Sequence, residues 1–497
     1  MLLGKLKINS RDVILFISIL SIFTFRIYEI LFPTNYQQDD ISELRVTFFD
    51  NLFCALYFGS DNHPLFSGLI WGLSKLTSKP EYLISTLIFL ITTTSLFLIF
   101  KLLEDKFTFE IALTSLVFLL FSPALITYSS SLKQYTFEFF ASTYILIFIN
   151  KNLKTEFDDF QINKFLVISS ILFLFSFINI IPILLVILFV ILKFKKINKK
   201  YFLIFLLPIA PFINSFFRKI QRINQGGYWD NFFITNNESV GLLDNFSFLL
   251  SLMLKSYFPE NINFLALILF IISIIFAIKS KDLIVHMALF GTLLIFIFSA
   301  LKIYPLGGGR TDLVFLPFMI IILSNAIYEF FDYFKLKKSI IYLLLFIFVI
   351  NGFINSKPFY KNESVVEIIQ LLENKYNNND YEIVVISDQA PSITYYSKHL
   401  LNQVSGKDIN SCMKTVPHFE NLSVLKNNIL YKNIYLIPYE VNLKEINKKN
   451  LIILGVELPG TKGSFREFQS EINNDYLEID SFEFDNYMKL FYFSKNE

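Results

Sequence analysis

The stretch DVILFISILSIFTFRIYEILF (residues 12–32) is an almost unbroken run of apolar side chains, and comparable runs recur along the chain. A helix that crosses a membrane needs about 20 mostly apolar residues, because each residue advances it by about 1.5 Å through about 30 Å of hydrocarbon. The 497-residue chain is 54% hydrophobic and contains 60 phenylalanines, which exceeds what a soluble core of this length buries. The sequence therefore predicts an integral membrane protein.

Ten further apolar runs complete an all-α polytopic membrane domain of about eleven transmembrane helices. The first run shows no small-residue cleavage site, so it is predicted to remain as an anchor. The two runs that meet near Asn179 and Pro182 are also compatible with one broken helix. The segment 64–78 is too short to span and is predicted to lie in the membrane interface. The remaining spans are predicted at 82–103, 108–127, 135–150, 163–178, 179–194, 200–216, 263–279, 283–301, 311–330 and 338–355.

Basic residues between the predicted spans fall consistently on one side of the membrane. The clusters are the N-terminal residues Lys5, Lys7 and Arg11, KLLEDK (101–106), KFKKINKK (193–200), KSK (279–281) and KLKK (335–338). Because Lys and Arg accumulate in cytoplasmic loops, this side is predicted to be cytoplasmic. The chain is thus predicted to be a multi-pass protein of the inner membrane with a cytoplasmic N-terminus. The loop 33–81, the turns 128–134 and 304–312, the loop 217–262 and the tail from 356 face outward.

The tail differs in character from the rest and is predicted to form a small extracytoplasmic α/β domain over 356–497, after a transmembrane domain over 1–355. SVVEIIQLLENKY (364–376) has helical spacing, whereas YEIVVIS, NIYLIPY, LIILGV and MKLFYFS have the composition of strands. The two cysteines, Cys54 and Cys412, are too few for a disulfide framework, and each is interpreted as a small apolar residue. The formal net charge is only +2, and the Lys and Arg residues fall in short clusters between apolar runs, which argues against a surface that binds nucleic acid.

Acidic and basic side chains converge on the predicted outer face. Asp39 and Asp40 follow the first span, His63 precedes the proline that starts the interfacial segment, and Lys133 and Arg310 lie in outward turns. Acids of this kind are most simply solvated loop residues, and such cations are most simply headgroup anchors. The alternative is a transferase whose donor is a lipid phosphate. A phosphate leaving group needs only a cation or a metal ion, whereas the acceptor needs a base or an orienting carboxylate.

Four blocks in this order resemble the membrane-embedded glycosyltransferases of the GT-C superfamily, in particular bacterial members that are similar to dolichyl-phosphate-mannose protein mannosyltransferases. The resemblance covers most of residues 10–330 and fades in the C-terminal domain. It implies a GT-C-like fold with interfacial helices and a polyprenyl-phosphate-linked sugar as the donor. The blocks are QQDDISELR (37–45), NHPLFSGLIWGLSKL (62–76), FSPALITYSSSLKQYTFEFF (121–140) and GGGRTDLVFLPFMIIILSNAI (307–327).

The resemblance also implies site residues. An acidic pair in the family's first external loop maps onto Asp39 and Asp40, and an HPPL-like segment maps onto His63, although this chain has only one proline there. The pattern YSxExKQYxxD maps onto Tyr128, Ser129, Lys133, Gln134, Tyr135 and Glu138.

The family's glutamate within that pattern is replaced by Ser131, which leaves Glu138 as the candidate second acid, predicted about two turns into the span. A charged residue inside a span costs about 2.5–3.5 kcal/mol on insertion scales, so Glu138 is expected to have a polar partner.

These observations assign roles to the candidate residues. Asp39 is the candidate base or acceptor-orienting group, and Asp40 is its supporting partner or a metal ligand. Lys133 and Arg310 are candidates for the donor phosphate. At Arg310, the preceding Gly307 to Gly309 let the backbone approach an anion. His63, Tyr128, Gln134, Tyr135 and Glu138 are candidates for substrate binding. Whether a divalent metal ion joins Asp39 and Asp40 stays open, because related enzymes differ.

The predicted function is transfer of a sugar, with inversion, from a polyprenyl-phosphate donor to an extracytoplasmic protein, lipid or envelope glycan. An alternative is a transporter or flippase of an anionic lipid-linked substrate, but transporters tend to place ionisable groups near the membrane midplane and to have repeated halves. A third reading is an assembly factor whose working part is the C-terminal domain. Deletion of residues 360–497 tests this third interpretation, because an assembly factor would lose all function, whereas a transferase could keep donor binding.

Overall fold

A computed structural model shows helices up to residue 355 and strands from residue 381 onward. It describes residues 10–31, 43–49, 51–58, 63–77, 79–129, 131–152, 159–194, 199–213, 217, 232–235, 241–259, 263–307, 310–335, 338–355, 381–386, 429–431, 434–437, 450–456, 476–483 and 488–495. The α-helices are α1 Ser10–Leu31, α2 Leu52–Phe58, α3 Pro64–Ser74, α4 Pro80–Lys106, α5 Phe109–Leu120, α6 Pro123–Tyr128, α7 Tyr135–Asn152, α8 Asp159–Phe175, α9 Ile180–Phe194, α10 Lys199–Ile209, α11 Leu242–Tyr257, α12 Asn263–Lys279, α13 Leu283–Ala300, α14 Leu316–Tyr333 and α15 Lys338–Asn355. Short 3-10 helices occupy Arg45–Phe48, Phe177–Asn179, Ala210–Phe212 and Arg310–Asp312.

Several of these helices have the composition of membrane spans. Within the described residues, α4, α13 and α14 are both long enough and apolar enough to cross a bilayer. Shorter apolar stretches of 10–17 residues are Pro64–Ser74, Phe109–Leu120, Ile162–Phe175, Phe177–Phe189, Leu203–Phe212, Phe264–Lys279 and Ser339–Gly352. The prediction of apolar helices is therefore confirmed, and the total of about eleven spans stays a prediction.

Polar side chains within the helices bond mainly to the helix backbone. Thr92 and Thr93 of α4 donate to the carbonyl oxygens of Ile88 and Phe89 at 2.9 and 3.0 Å. This back-bonding satisfies a hydroxyl where no water can reach it, so threonine is tolerated in an apolar span. Around these positions the core consists of close-packed aliphatic and phenylalanine side chains.

Ion pairs join the helix ends where the sequence places its basic clusters. The Lys101 ammonium lies 2.9 Å from an Asp12 carboxylate oxygen and 2.8 Å from one of Glu104, which ties α1 to α4. The Lys106 ammonium lies 2.9 Å from Asp282, which also accepts the Ile284 N–H and thereby caps α13. The capping carboxylate is thus shared with a neighbouring helix.

Two helical assignments differ from the sequence prediction, and the division near Asn179 agrees with the separate predicted runs 163–178 and 179–194. The predicted span 108–127 is divided into α5 and α6, because Pro123 has no N–H to continue the preceding helix and starts a new one instead. The predicted outer loop 217–262 contains α11, an amphipathic helix that buries Leu249, Met253 and Tyr257. The 3-10 helix Phe177–Asn179 separates α8 from α9, so the chain there forms two helical segments.

Cys54, on α2, is buried and disulfide-bonded. The interpretation of Cys54 as a small apolar residue without a covalent partner is therefore wrong. The Trp71 indole of α3 donates to the carbonyl of Phe49, which precedes α2, at 2.9 Å. Cys412, the other cysteine in the sequence, lies outside the described residues.

Beyond the helices, six strands form one mixed sheet in the order β2-β3-β1-β4-β6-β5. The strands are β1 Tyr381–Ile386, β2 Ile429–Tyr431, β3 Ile434–Ile437, β4 Asn450–Val456, β5 Tyr476–Glu483 and β6 Met488–Lys495. Strand β1 pairs in parallel with β3 and β4, whereas the β2–β3, β4–β6 and β5–β6 pairs are antiparallel. Strands β1, β3, β4 and β6 confirm the four predicted strands, and β2 and β5 were missed. The predicted helix at 364–376 lies outside the described residues.

Candidate functional site

Polar residues that the chain buries accumulate at the start of α7. Lys133, Gln134 and Glu138 have 9%, 3% and 1% of their surface exposed. The helix begins at Tyr135, and the Gln134 carbonyl accepts the Phe137 N–H at 2.9 Å. Three predicted site residues therefore lie within about one and a half turns of one another at the end of one helix.

Glu138 has one bonded and one unsatisfied carboxylate oxygen. Its Oε1 accepts a hydrogen bond from the Ser176 hydroxyl at 2.6 Å, and the side chain of Gln134 also approaches the carboxyl group. No described residue donates to Oε2, which is buried. Because α7 starts at Tyr135, Glu138 lies in its first turn, and the predicted depth of two turns is wrong.

Sequence reasoning missed Ser176, which lies between α8 and the 3-10 helix Phe177–Asn179. Its backbone is extended, with φ −161° and ψ 129°, and its carbonyl oxygen accepts the Asn179 N–H at 3.0 Å. The signal available in the sequence is a serine and an asparagine between two long apolar runs. The partnership with Glu138 could not be read from the chain, because the two residues are 38 positions apart.

A series of aromatic contacts connects His63 with the start of α7. The buried His63 ring lies 5.7 Å from Phe66, and Phe66 lies 5.8 Å from Phe137. Phe137 stacks on Phe175, the last residue of α8, at 4.4 Å and 7°. His63 directly precedes Pro64, which starts α3. The aromatic side chains hold this histidine at the same end of the helices as Glu138.

Two predicted tyrosines meet beside this cluster. Tyr128, the last residue of α6, contacts Tyr135 edge to face with 5.2 Å between the ring centroids. Edge-to-face geometry is the preferred arrangement for such rings. The contact closes the short connection 129–134 that carries Lys133, so the structure brings Tyr128, Lys133 and Tyr135 together.

The segment around Arg310 is a tight turn whose backbone Asp312 fixes. An Asp312 carboxylate oxygen accepts the Gly307 N–H at 3.0 Å, and the Tyr257 hydroxyl donates to the Asp312 carbonyl at 2.6 Å. Gly307 has φ +82°, and a Cβ placed there would lie 3.0 Å from the Leu249 carbonyl oxygen, so glycine is required. Burial and the nearby Asp312 and Tyr304 raise the pKa of Tyr257 well above its ordinary value, which keeps its hydroxyl proton available for donation.

One hydrogen bond joins this turn to α7. The Ser142 hydroxyl, one helical turn after Glu138, donates to the Val314 carbonyl at 2.7 Å. Val314 follows the 3-10 helix Arg310–Asp312 by two residues. The backbone that carries Arg310 is therefore held next to the helix that carries Glu138.

Asp39 and Asp40 lie outside the described residues, and so does the side chain of Arg310, whose backbone forms the first residue of the turn. Among the described residues, no group of three His, Cys, Asp or Glu side chains could hold a metal ion. The roles of the acidic pair and of a metal ion therefore stay predictions.

Comparison with solved structures gives matches at low sequence identity. The crystal structures of ArnT from Cupriavidus metallidurans in the apo state and bound to undecaprenyl phosphate each match with a TM-score of 0.52 and 10% identity. The aligned regions cover 97% of both chains for the apo structure and 98% of both chains for the complex. The chain has an ArnT-like fold. This likeness over the full length, together with the apolar helices, is that of a multi-pass membrane protein.

The oligosaccharyltransferase of Archaeoglobus fulgidus, in a complex with zinc and sulfate, also matches, with a TM-score of 0.48 and 11% identity. That alignment covers 77% of this chain and 61% of the archaeal protein, so the chain spans about three fifths of that relative. No protein-family profile matches the chain, and no curated protein matches it by sequence. The ArnT-like fold is thus recognised from structure alone.

Proposed function

We propose that the chain is a membrane glycosyltransferase that moves a sugar from a polyprenyl-phosphate donor to an extracytoplasmic acceptor. The observation that carries the proposal is the full-length likeness to ArnT, one structure of which binds undecaprenyl phosphate. The buried polar cluster at one end of α7, next to the Arg310 turn, supports the proposal because it includes the cation Lys133. The finer assignment to the protein mannosyltransferase-like type rests on the four sequence blocks.

The proposed reaction is a single displacement at the anomeric carbon. An acceptor oxygen or nitrogen forms a bond to that carbon while the bond from the carbon to the phosphate oxygen breaks, and the electron pair leaves with the polyprenyl phosphate. The acceptor proton passes to Asp39, with Asp40 supporting it. Lys133 and Arg310 stabilise the charge on the departing phosphate, the electrostatic effect that commonly dominates such catalysis. Attack from the face opposite the phosphate inverts the anomeric configuration.

The surroundings of Lys133 suit a phosphate at the membrane surface. Lys133 is buried directly before α7, whose first N–H groups carry partial positive charge. A buried ammonium interacts more strongly with an anion than an exposed one, because less water screens it. The hydrogen bond from Ser142 to Val314 holds the Arg310 turn beside the same helix. Two cations from separate parts of the chain would thereby act on one leaving group.

The proposed orientation places this cluster and the C-terminal strands outside the cytoplasm. The disulfide at Cys54 supports it, since disulfides persist in oxidising compartments and Cys54 lies in the predicted first external loop. The ion pairs of Lys101 and Lys106 lie at the opposite, basic end of α4. The proposed location is the inner membrane, with residues 356–497 as an extracytoplasmic α/β domain.

Single cysteines at Asn236 and Ser364 are expected to react with a membrane-impermeant thiol reagent in intact spheroplasts, whereas one at Asn198 is not. The reason is that only the basic loops face the cytoplasm. The parent protein is the background control, because Cys54 is disulfide-bonded and the sequence has only one other cysteine. Labelling at Asn198 without labelling at the other two positions would reverse the orientation.

Mass spectrometry of the cell envelope tests the proposed function in the cell. Glycans, lipids and glycoproteins from cells with and without the protein should differ by the mass of one transferred sugar on one acceptor class. Loss of a flippase would also leave the acceptor unglycosylated, because the lipid-linked sugar would not cross the membrane. A purified flippase, however, would not consume that lipid. An unchanged envelope under conditions in which the protein is expressed would contradict transfer.

A further inference from the structure

The buried acidic residues differ in how completely their carboxyl oxygens are hydrogen-bonded. Asp12, Glu43, Glu81, Glu110, Glu138 and Asp312 are the described acidic residues below one tenth exposure. Of these, only Glu138 has a fully buried carboxylate oxygen, Oε2, without a hydrogen-bond partner among the described residues. A fully buried carboxyl oxygen without a hydrogen-bond partner is uncommon, so it favours a partner that a bound molecule supplies.

Two neighbours of Glu138 also have side-chain oxygens that lack a hydrogen-bond donor among the described residues. The side-chain oxygens of Gln134, four residues earlier, and of Asn179, which bonds to Ser176 through its backbone, are also buried and unsatisfied. The Asn179 amide nitrogen is satisfied, because it donates to the Leu172 carbonyl at 2.6 Å. Three unsatisfied hydrogen-bond acceptors near one helix end favour a ligand rich in donors, and sugar hydroxyls are such donors.

We propose that Glu138, held by Ser176 and flanked by Gln134 and Asn179, binds the hydroxyl groups of the sugar that the donor lipid carries. This inference rests on the proposed function and deepens it, because it separates sugar recognition from phosphate recognition. A carboxyl group and two amide oxygens offer a phosphate no positive charge, so the phosphate belongs with Lys133 and Arg310. The Ser176 hydroxyl engages Oε1 at 2.6 Å and so directs Oε2 to the sugar.

The test compares binding of two lipids that differ only in the sugar. Affinities of the purified full-length protein are measured for undecaprenyl phosphate and for a panel of undecaprenyl-phosphate glucose, galactose and mannose. The readout is the ratio of the two dissociation constants for the best member of the panel. Wild type should prefer a sugar-bearing lipid, and Glu138→Gln should reduce that preference by about 10-fold or more, the scale of one hydrogen bond to a charged group. Its affinity for undecaprenyl phosphate should stay within about twofold of wild type.

Matched variants separate recognition from stability. Ser176→Ala should lower the preference less than Glu138→Gln, because it frees the carboxylate without removing it. Ser170→Ala is the serine control, since the Ser170 hydroxyl bonds to the Leu166 and Phe205 carbonyls and not to Glu138. Glu110→Gln is the acid control, because this buried glutamate lies in the first turn of α5. Neither control should change the preference.

Three results would overturn the proposal. These are a wild type that binds no panel member better than undecaprenyl phosphate, a Glu138→Gln variant that keeps the preference, and one that loses affinity for both lipids equally. The last result would make Glu138 a structural residue. Sugar transfer is assayed separately, so a wild type that selects a sugar-bearing lipid but transfers nothing would contradict the proposed function and leave this binding site in place.

Discussion

Asp39→Asn is expected to slow sugar transfer by about 10²-fold or more while the protein still inserts and still binds donor lipid. Asparagine keeps the shape of the side chain and most of its hydrogen bonding but removes the negative charge that accepts the acceptor's proton. The loss should therefore fall on the chemical step, on the scale typical for removal of a general base. The measurement is single-turnover transfer from a synthetic polyprenyl-phosphate sugar by purified variants, with thermal stability recorded in parallel.

Asp40→Asn is the matched control for this prediction, since it makes the same chemical change at the adjacent residue. It should cost less than Asp39→Asn if Asp40 only supports its neighbour, or a comparable amount with a new dependence on added metal ion if Asp40 is a ligand. A rate close to wild type for Asp39→Asn would remove Asp39 from the site and return the pair to ordinary loop acids.

Arg310→Ala is expected to weaken donor binding and to reduce turnover by about 10²-fold, the lower end of what loss of one preorganised charge-stabilising group costs. Arg310→Lys should recover only part of the rate, because an ammonium cannot form the two parallel hydrogen bonds of a guanidinium. The readouts are donor affinity and the transfer rate at saturating donor. The alanine variant should lose both, with its fold intact, because Asp312 and Tyr257 still hold the turn.

Lys302→Gln serves as the matched loss of a cation, since Lys302 lies in the same connection between α13 and the Arg310 turn. It should leave transfer close to wild type. Equal effects of the two substitutions would point to a general surface charge, and normal turnover in Arg310→Ala would make Arg310 a headgroup anchor.

The apolar helices and four of the strands could be predicted because their signals are local. A run of about 20 apolar residues predicts a span whatever surrounds it, and strand composition predicts β1, β3, β4 and β6. Helix α11 was missed because polar residues alternate with its apolar face within a long outer loop, which weakens a hydropathy signal. The division between α5 and α6 was missed although Pro123 is a known helix starter, because apolar composition continues across it.

In the candidate site too, residues that are neighbours in sequence could be predicted, whereas contacts between distant segments could not. Tyr128, Lys133, Gln134, Tyr135 and Glu138 are neighbours in sequence, and the structure gathers them at the start of α7. The bond from Ser176 to Glu138 and the bond from Tyr257 to the Asp312 carbonyl join distant segments, which no periodicity reveals. The disulfide at Cys54 was missed because two cysteines form no spacing pattern.

The central claim is tested most directly by incubating the purified protein with synthetic undecaprenyl-phosphate sugars and an envelope extract as acceptor, and by measuring release of undecaprenyl phosphate. Free undecaprenyl phosphate should appear in step with sugar on an acceptor, and Asp39→Asn should suppress both. The proposed transfer would be contradicted if every sugar-bearing lipid that the wild-type protein binds were still intact at the end of the reaction.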